Sequence, residues 1–387
     1  MHLLYIDPGT GSMLFSVFIG LAAASYFLFR TLLIRVKTVF LGKNKALQTK
    51  SSFVIYSEAL HYWPVFEPVL EEFEKRNIDV LFLTSSENDP VFSKNYTNIK
   101  SEYIGAGNKA FAALNFLEAD VCLMTTPAIE VYQLKRSKLC KHYSHILHDT
   151  GDATCYKLFG LDWFDSVLLT GEYQKSGLRE LEKIRDLPAK DLIVTGSSYL
   201  DYYANKLKDF PLLEEKNNFT VLLSPSWGPC ALLSVMGEKL LDALKDTGWR
   251  VIVRPHPQSK KSEADLLEKL EEKYSAYTWD YNSENISSLS KADVMISDFS
   301  GVIFDYIFLF DKPVLYHNAG FNKDMYDAGD LDEEPWKFRA IKRFGREISE
   351  NDLPKIKEII QQAITDSSRA SERQNAKETA WQNRGQS

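Results

Sequence analysis

Three short segments hold residue types that can do chemistry on a phosphorylated substrate. The first, VMISDFSGVIFDY from Val294 to Tyr306, passes from an apolar run through Ser297, Asp298, Phe299, Ser300 and Gly301 into a helical pattern. Small hydroxyl residues and glycine before a helix leave backbone N–H groups pointing at an incoming anion, and the helix dipole adds attraction. The pattern is that of a phosphate seat, and equally that of an ordinary cap supplied by Ser297, Asp298 or Ser300. Asp298 has the wrong charge to bind an anion, so its expected part is to orient a hydroxyl or cap the helix. The second segment, Arg254-Pro255-His256-Pro257, ends the apolar run VIVR. Arginine grips phosphate through parallel donors, histidine can share the charge of a leaving group, and the two prolines restrict the backbone. The third, HILHDTG from His145 to Gly151, ends another apolar run. Strand alternation sends His145 and His148 to opposite faces, so only one can face a ligand and the pair should act separately. His148, beside a loop, is where a neutral imidazole can take a proton from an attacking hydroxyl.

For these segments to meet, the chain must hold strand ends against one another. After residue 50, short apolar runs alternate with helical patterns, which predicts α/β layers with mainly parallel sheets. Expected strands in the first half include Phe53 to Tyr56, Val80 to Thr84, Glu102 to Ile104, Val121 to Thr125, Ser144 to His148, Ser166 to Thr170 and Leu192 to Thr195. A second series covers Thr220 to Ser224, Arg250 to Arg254, Ala276 to Trp279, Val294 to Ser297 and Pro313 to Tyr316. A polar, charged stretch from Tyr203 to Asn218 separates them. The expected organisation is therefore an anchor and basic linker over 1–50, α/β domains over 51–210 and 211–366, and a polar, fraying tail over 367–387. Ligands of such sheets bind beyond the carboxyl ends of strands, and all three segments lie there.

Composition excludes several classes. The 387 residues carry 46 Lys and Arg against 53 Asp and Glu, a net charge of -7, too acidic for a protein that coats nucleic acid. With 44% hydrophobic residues, the chain is neither disordered nor low-complexity. Cys122, Cys140, Cys155 and Cys230 show no paired C-x-x-C spacing, and the run Cys140, His142, His145, His148, Cys155 matches no zinc pattern. No metal is expected. Gly105 to Ala110 satisfies G-x-G-x-x-A without the strand and acidic residue that a dinucleotide site needs, and the phosphate-binding G-x-x-x-x-G-K-[ST] is absent. Tyr202, Tyr203, Trp227 and Trp279 are either core or stacking platforms for a base.

The amino-terminal end suggests a membrane. Met13 to Phe29 is uncharged, and Arg30, Arg35, Lys37, Lys43, Lys45 and Lys50 follow before the first downstream acid, Glu58. This predicts a single uncleaved anchor with the remainder of the chain on the cytoplasmic face.

The segments HILHDTGDATCYKLFGLDWFDSVLLTGEYQ, VTGSSYLD, VIVRPHP and ADVMISDFSGVIFDYIFLFDKPVLYH together resemble the CDP-glycerol glycerophosphotransferase family of teichoic-acid primases and polymerases. The resemblance spans Lys141 to Met325. It implies two Rossmann-like domains in the GT-B arrangement, working at the inner membrane surface without a cofactor. It also implies a reaction in which an acceptor hydroxyl, on a lipid-linked or glycan acceptor, attacks the phosphorus of a CDP-activated polyol and releases CMP. On this resemblance His148 corresponds to the first-domain histidine that acts as base, and His256 with Arg254 to the R-P-H-P element at the donor diphosphate. Ser297, Ser300 and Gly301 correspond to the phosphate-binding turn, with Asp298 inside it, and Asp305 to the acidic residue of the following helix. The family often reads Trp-His-Gly where this chain has Leu147-His148-Asp149, and has an arginine after a Pro-Thr-Trp-like turn where Ser224-Pro225-Ser226-Trp227 precedes Gly228. These departures leave the polyol and the acceptor open. A GT-B glycosyltransferase using a nucleotide sugar, or an inactive tethered envelope-assembly protein, would fit the same motifs.

Overall fold

The computed structural model describes residues 25, 26, 29, 51–208, 218–282, 284–318, 320 and 322–387. The expected anchor and basic flank lie outside the described residues apart from Ser25, Tyr26 and Phe29. Among the described residues no helix is long and apolar enough to cross a membrane.

Two parallel sheets organise the chain. The first contains β1 (Ser51–Ser57), β2 (Val80–Thr84), β3 (Ile99–Tyr103), β4 (Ala119–Met124), β5 (Cys140–Ile146), β6 (Ser166–Leu169) and β7 (Asp191–Val194), in the order β3-β2-β1-β4-β5-β6-β7. The second contains β8 (Thr220–Leu223), β9 (Arg250–Val253), β10 (Thr278–Trp279), β11 (Val294–Ser297), β12 (Val314–Tyr316) and β13 (Arg346–Glu347), in the order β10-β9-β8-β11-β12-β13. Helices cover both faces of each sheet, so the central strands read as apolar runs without alternation: TVLL in β8 and VMIS in β11 are buried throughout. In both sheets the order reverses beside the first strand, between β1 and β4 and between β8 and β11. These reversals open the crevices in which ligands of such sheets bind.

Hydrophobic periodicity located most of these strands, but β13 was missed because its two residues are exposed polar ones. Helices that periodicity did not locate include Lys175–Ile184, Ser198–Lys208, Trp336–Phe344 and Ser368–Ala380.

The last of these corrects the expectation of a frayed tail. Ala376, Ala380 and Trp381 are buried against the helix Val302–Phe310 and Trp336–Phe344, and Arg373 donates to Asp311 over 2.7 Å. The chain then returns to the first domain. Buried Asp201 accepts from Trp381 Nε1 and from the N–H groups of Gly385 and Ser387 at 2.9, 2.9 and 3.0 Å. The approach is so close that a Cβ at Gly171 would overlap the Thr379 carbonyl, and one at Gly196 (φ +98) the Gln382 carbonyl. The polar composition of the tail concealed a few large contacts whose partners are distant in sequence.

Candidate active site

The loop after β11 sits at the reversal of the second sheet. Ser297, expected on the phosphate-binding turn, is instead fully buried, and its hydroxyl donates to the Ser224 carbonyl over 2.6 Å. This is a correction: Ser297 is the last residue of β11, and its side chain points into the sheet rather than beyond it. Asp298 is also buried. Its Oδ1 accepts the N–H groups of Ser226 and Ser300 at 2.9 and 3.1 Å, and its Oδ2 that of Leu232 at 2.9 Å. The carboxylate thus caps the helix Leu232–Lys245 and ties together the two loops flanking the crevice. Ser300 is half-buried and Gly301 exposed. Gly301, the N-cap of Val302–Phe310, has no side chain to cap that helix, and the N–H groups of Ile303 and Phe304 turn back to the Ser300 and Gly301 carbonyls, while the helix dipole still brings partial positive charge to this end.

Arg254 requires a second correction. Expected to grip phosphate, it turns inward: Nη1 donates to Asp280 and Nη2 to the Asn282 carbonyl, each over 2.7 Å. An arginine at the buried end of β9 is held by a carboxylate because an unpaired buried charge is costly. It supports the following turn instead of touching a ligand. His256, at that turn, is half-buried, and its Nδ1 accepts the Gln258 N–H over 3.1 Å. A neutral ring in this setting carries its proton on Nε2. Burial lowers its pKa, opposed in part by Asp298 and Glu263. The exposed Trp227 ring lies 6.3 Å from that of His256, whereas Tyr203 is core.

In the first domain, β5 ends at Ile146, two residues before the expected end. Alternation therefore does not extend to His148, and the predicted separation of the two histidines does not hold. His145 is fully buried with Nε2 3.0 Å from Tyr156 Oη, and the same hydroxyl lies 3.4 Å from His148 Nδ1. The edge of the Tyr62 ring also packs on His148, with centroids 5.2 Å apart. The loop beyond is fixed from behind: Tyr173 Oη donates to the Thr150 carbonyl over 2.6 Å, and Gln174 Nε2 to that of Gly151 over 2.6 Å.

This loop reaches the second domain. Asp152 accepts the N–H groups of Trp336 and Lys337 at 2.7 and 2.9 Å, capping a helix of the other domain. Asp327 accepts those of Phe159 and Gly160 at 2.7 and 3.1 Å and pairs with Arg185 over 2.8 Å. Between these ties, the Asp149 carboxylate lies 3.9 Å from where a Cβ on Gly301 would be. The loop that holds His148 thus reaches the start of that helix through Asp149. Asp149 Oδ2 is 3.8 Å from His148 Nε2.

Asp305, in the first turn of Val302–Phe310, accepts from Tyr199 Oη over 3.1 Å and Asn285 Nδ2 over 3.3 Å. Burial pushes its carboxyl up to about 7, with Asp149 adding to the rise and the two hydrogen bonds opposing it. Buried hydroxyls of Thr125, Thr126, Thr150 and Ser226, in the loops that follow β4, β5 and β8, have no hydrogen-bond partner among the described residues. Beside Asp298 a cavity of about 370 Å³ opens between Phe299, Tyr316, His317, Phe338 and Lys342. His317 Nδ1 lies 3.2 Å from the Ile348 carbonyl and must donate to it. Sequence reasoning missed Tyr62, Tyr156, Tyr199 and His317. His317 ends β12 and was open to the same strand-end rule that found His148. Among the described residues no group of three His, Cys, Asp or Glu can hold a metal ion.

Residues 216–378 match the family model "CDP-Glycerol:Poly(glycerophosphate) glycerophosphotransferase". No protein of curated function matches the chain. Among solved structures, the wall teichoic acid polymerase TagF is similar at 13% identity and a TM-score of 0.57, over 94% of this chain and 91% of that one. The UDP-GlcNAc 2-epimerase from Neisseria meningitidis bound to UDP-GlcNAc is similar at 15% identity and a TM-score of 0.53, over 87% and 97%. The corresponding epimerase from Rickettsia bellii follows at 14% and 0.53, over 84% and 92%. At these identities the structures establish the fold, a GT-B-like pair of parallel α/β domains.

Proposed function

We propose a specific reaction for this chain, whose residues 216–378 match the CDP-glycerol glycerophosphotransferase family model. The protein transfers a polyol phosphate, glycerol phosphate foremost, from a CDP-activated donor to a hydroxyl of a membrane-associated envelope acceptor, releasing CMP. One observation carries this reading: the Asp149 carboxylate, next to His148 in the first domain, lies against the helix start at Gly301 in the second.

In this reading the donor nucleotide occupies the cavity beside Asp298, and its diphosphate lies toward Gly301. The acceptor oxygen attacks the phosphorus that bears the polyol. Its proton passes to His148 Nε2, an O–P bond forms, and the P–O bond to CMP breaks. Negative charge gathers on the CMP phosphate, where the helix end and the Nε2–H of His256 lower its energy. Phosphoryl transfer asks for little beyond positioning and charge stabilisation. Arg254 and Asp298 contribute by holding the loops rigid. The apolar run Met13 to Phe29 with its basic flank supports tethering at the cytoplasmic face of the membrane.

The test is to incubate purified protein and membrane lipid extract with CDP-glycerol, CDP-ribitol and UDP-sugars in turn. Release of CMP dependent on the lipid extract is expected. Release of UDP alone would make it a glycosyltransferase, and release of neither nucleotide would leave the catalytic reading without support. Resistance of the full chain to carbonate extraction from membranes tests the tether.

A further inference from the structure

Tyr156 Oη has one proton and stands between two imidazole nitrogens, His145 Nε2 at 3.0 Å and His148 Nδ1 at 3.4 Å. It can donate to only one, and the other must donate to it. The ring contacts show the same arrangement, with Tyr156 edge-on to His145 at 5.3 Å and to His148 at 6.2 Å. His145 is sealed in the first-domain core, against Phe164 at 5.0 Å, and its Nδ1 has no partner.

We propose that Tyr156 and His145 are positioning residues: the hydroxyl donates to His145 and accepts the Nδ1–H of His148, which leaves the lone pair of His148 on Nε2, toward the crevice. This rests on the reading of His148 as the base that takes the acceptor proton. The contact to His145 is the shorter of the two. His145 cannot become the terminus of a proton chain, because burial and the nearby His148 lower its pKa to about 3. The phenol proton stays where it is, and the charge gained on proton abstraction remains on His148. Asp149, His61, Tyr62, His145 and Tyr156 are the titratable groups that face or electrostatically touch His148. Of these Asp149 is the one whose carboxylate can favour the resulting imidazolium. The balance is simple: the acceptor O–H bond breaks, an N–H bond forms at His148 Nε2, and no proton crosses Tyr156.

Which ring nitrogen of a histidine carries the proton is set by the hydrogen bond made by the other nitrogen. The arrangement is therefore measurable without turnover. In full-length protein labelled with nitrogen-15 at its seven histidines, the His148 signals are assigned by their loss in His148→Gln. The expected result is a neutral His148 protonated at Nδ1 in the wild type and shifted toward Nε2–H in Tyr156→Phe. That substitution keeps the packed ring and is expected to lower turnover by ~10-fold or more at unchanged donor KM, as loss of an oriented base does. His145→Gln, which retains an acceptor, should preserve the tautomer, whereas His145→Phe should not. A wild-type His148 protonated at Nε2, or a tautomer indifferent to Tyr156→Phe, overturns the proposal. If no CDP-donor is turned over, the reaction reading fails while the tautomer result still stands or falls alone.

Discussion

Asp305→Asn separates charge from shape at the helix that faces the crevice. The carboxyl is held by Tyr199 and Asn285, and both donate to the same oxygen, Oδ2. An amide oxygen in that place keeps both hydrogen bonds, so the substitution removes little besides the titration. The wild-type carboxyl ionises near 7 when folded and at the ordinary 3.8 when unfolded. A group whose folded pKa is raised costs nothing below the unfolded value. As the pH climbs, the unfolded chain gives up its proton first, and stability falls until the folded pKa is passed. Each pH unit between the two is worth about 1.4 kcal/mol, so the full penalty is about 4 kcal/mol. Of this, about 2 to 3 kcal/mol accrues between pH 5 and pH 8. Asp305→Asn lacks it, and its melting temperature relative to wild type should rise by ~5 to 10 °C from pH 5 to pH 8. Thermal denaturation of both proteins at the two pH values measures this directly. In the same window the donor KM of the wild type should climb as a carboxylate forms in the first turn of the helix toward which the proposed diphosphate lies, and that of the variant should not. A melting difference that is constant or shrinks with pH would refute the reasoning.

Four further substitutions test the site and the interlock. His148→Ala and His256→Ala should each lower turnover by ~100-fold or more in the CMP-release assay, the scale of acid-base and charge-stabilising groups; near-normal rates in both would remove these residues from the mechanism. Arg254→Met leaves Asp280 buried without its partner and should destabilise the second domain by about 3 kcal/mol or more, while donor KM in the folded protein stays nearly unchanged. A selective loss of donor binding would restore Arg254 to the diphosphate. Trp381→Ala removes a buried ring and the donor to Asp201, and should cost about 3 to 5 kcal/mol in chemical denaturation. A negligible loss would mean that the carboxyl-terminal return is not part of the stable fold.

The parallel sheets were legible in the sequence because strands buried on both faces are continuous apolar runs. VLFLT at β2 and VMIS at β11 have the same ends in the reading and in the structure. The loops at strand ends were legible for a related reason, since glycine, small hydroxyls and histidine follow several of these runs where the backbone leaves the sheet, although β5 also carries His142, Ser144 and His145 within the strand. What a side chain does there was a different matter. Ser297 and Arg254 have the right chemistry for phosphate, yet one, still inside β11, bonds to the Ser224 carbonyl and the other, just past β9, turns inward to Asp280. His145 and His148 looked independent while alternation was the only rule, and Tyr156 joins them from a loop that returns across the sheet. The tail looked dispensable until its partners, Asp201 and the Thr170 carbonyl, appeared from the far domain. Periodicity is a local property and survives in one dimension. Which donor meets which acceptor depends on distances of a few ångströms between segments far apart in the chain, and only the packed molecule determines those.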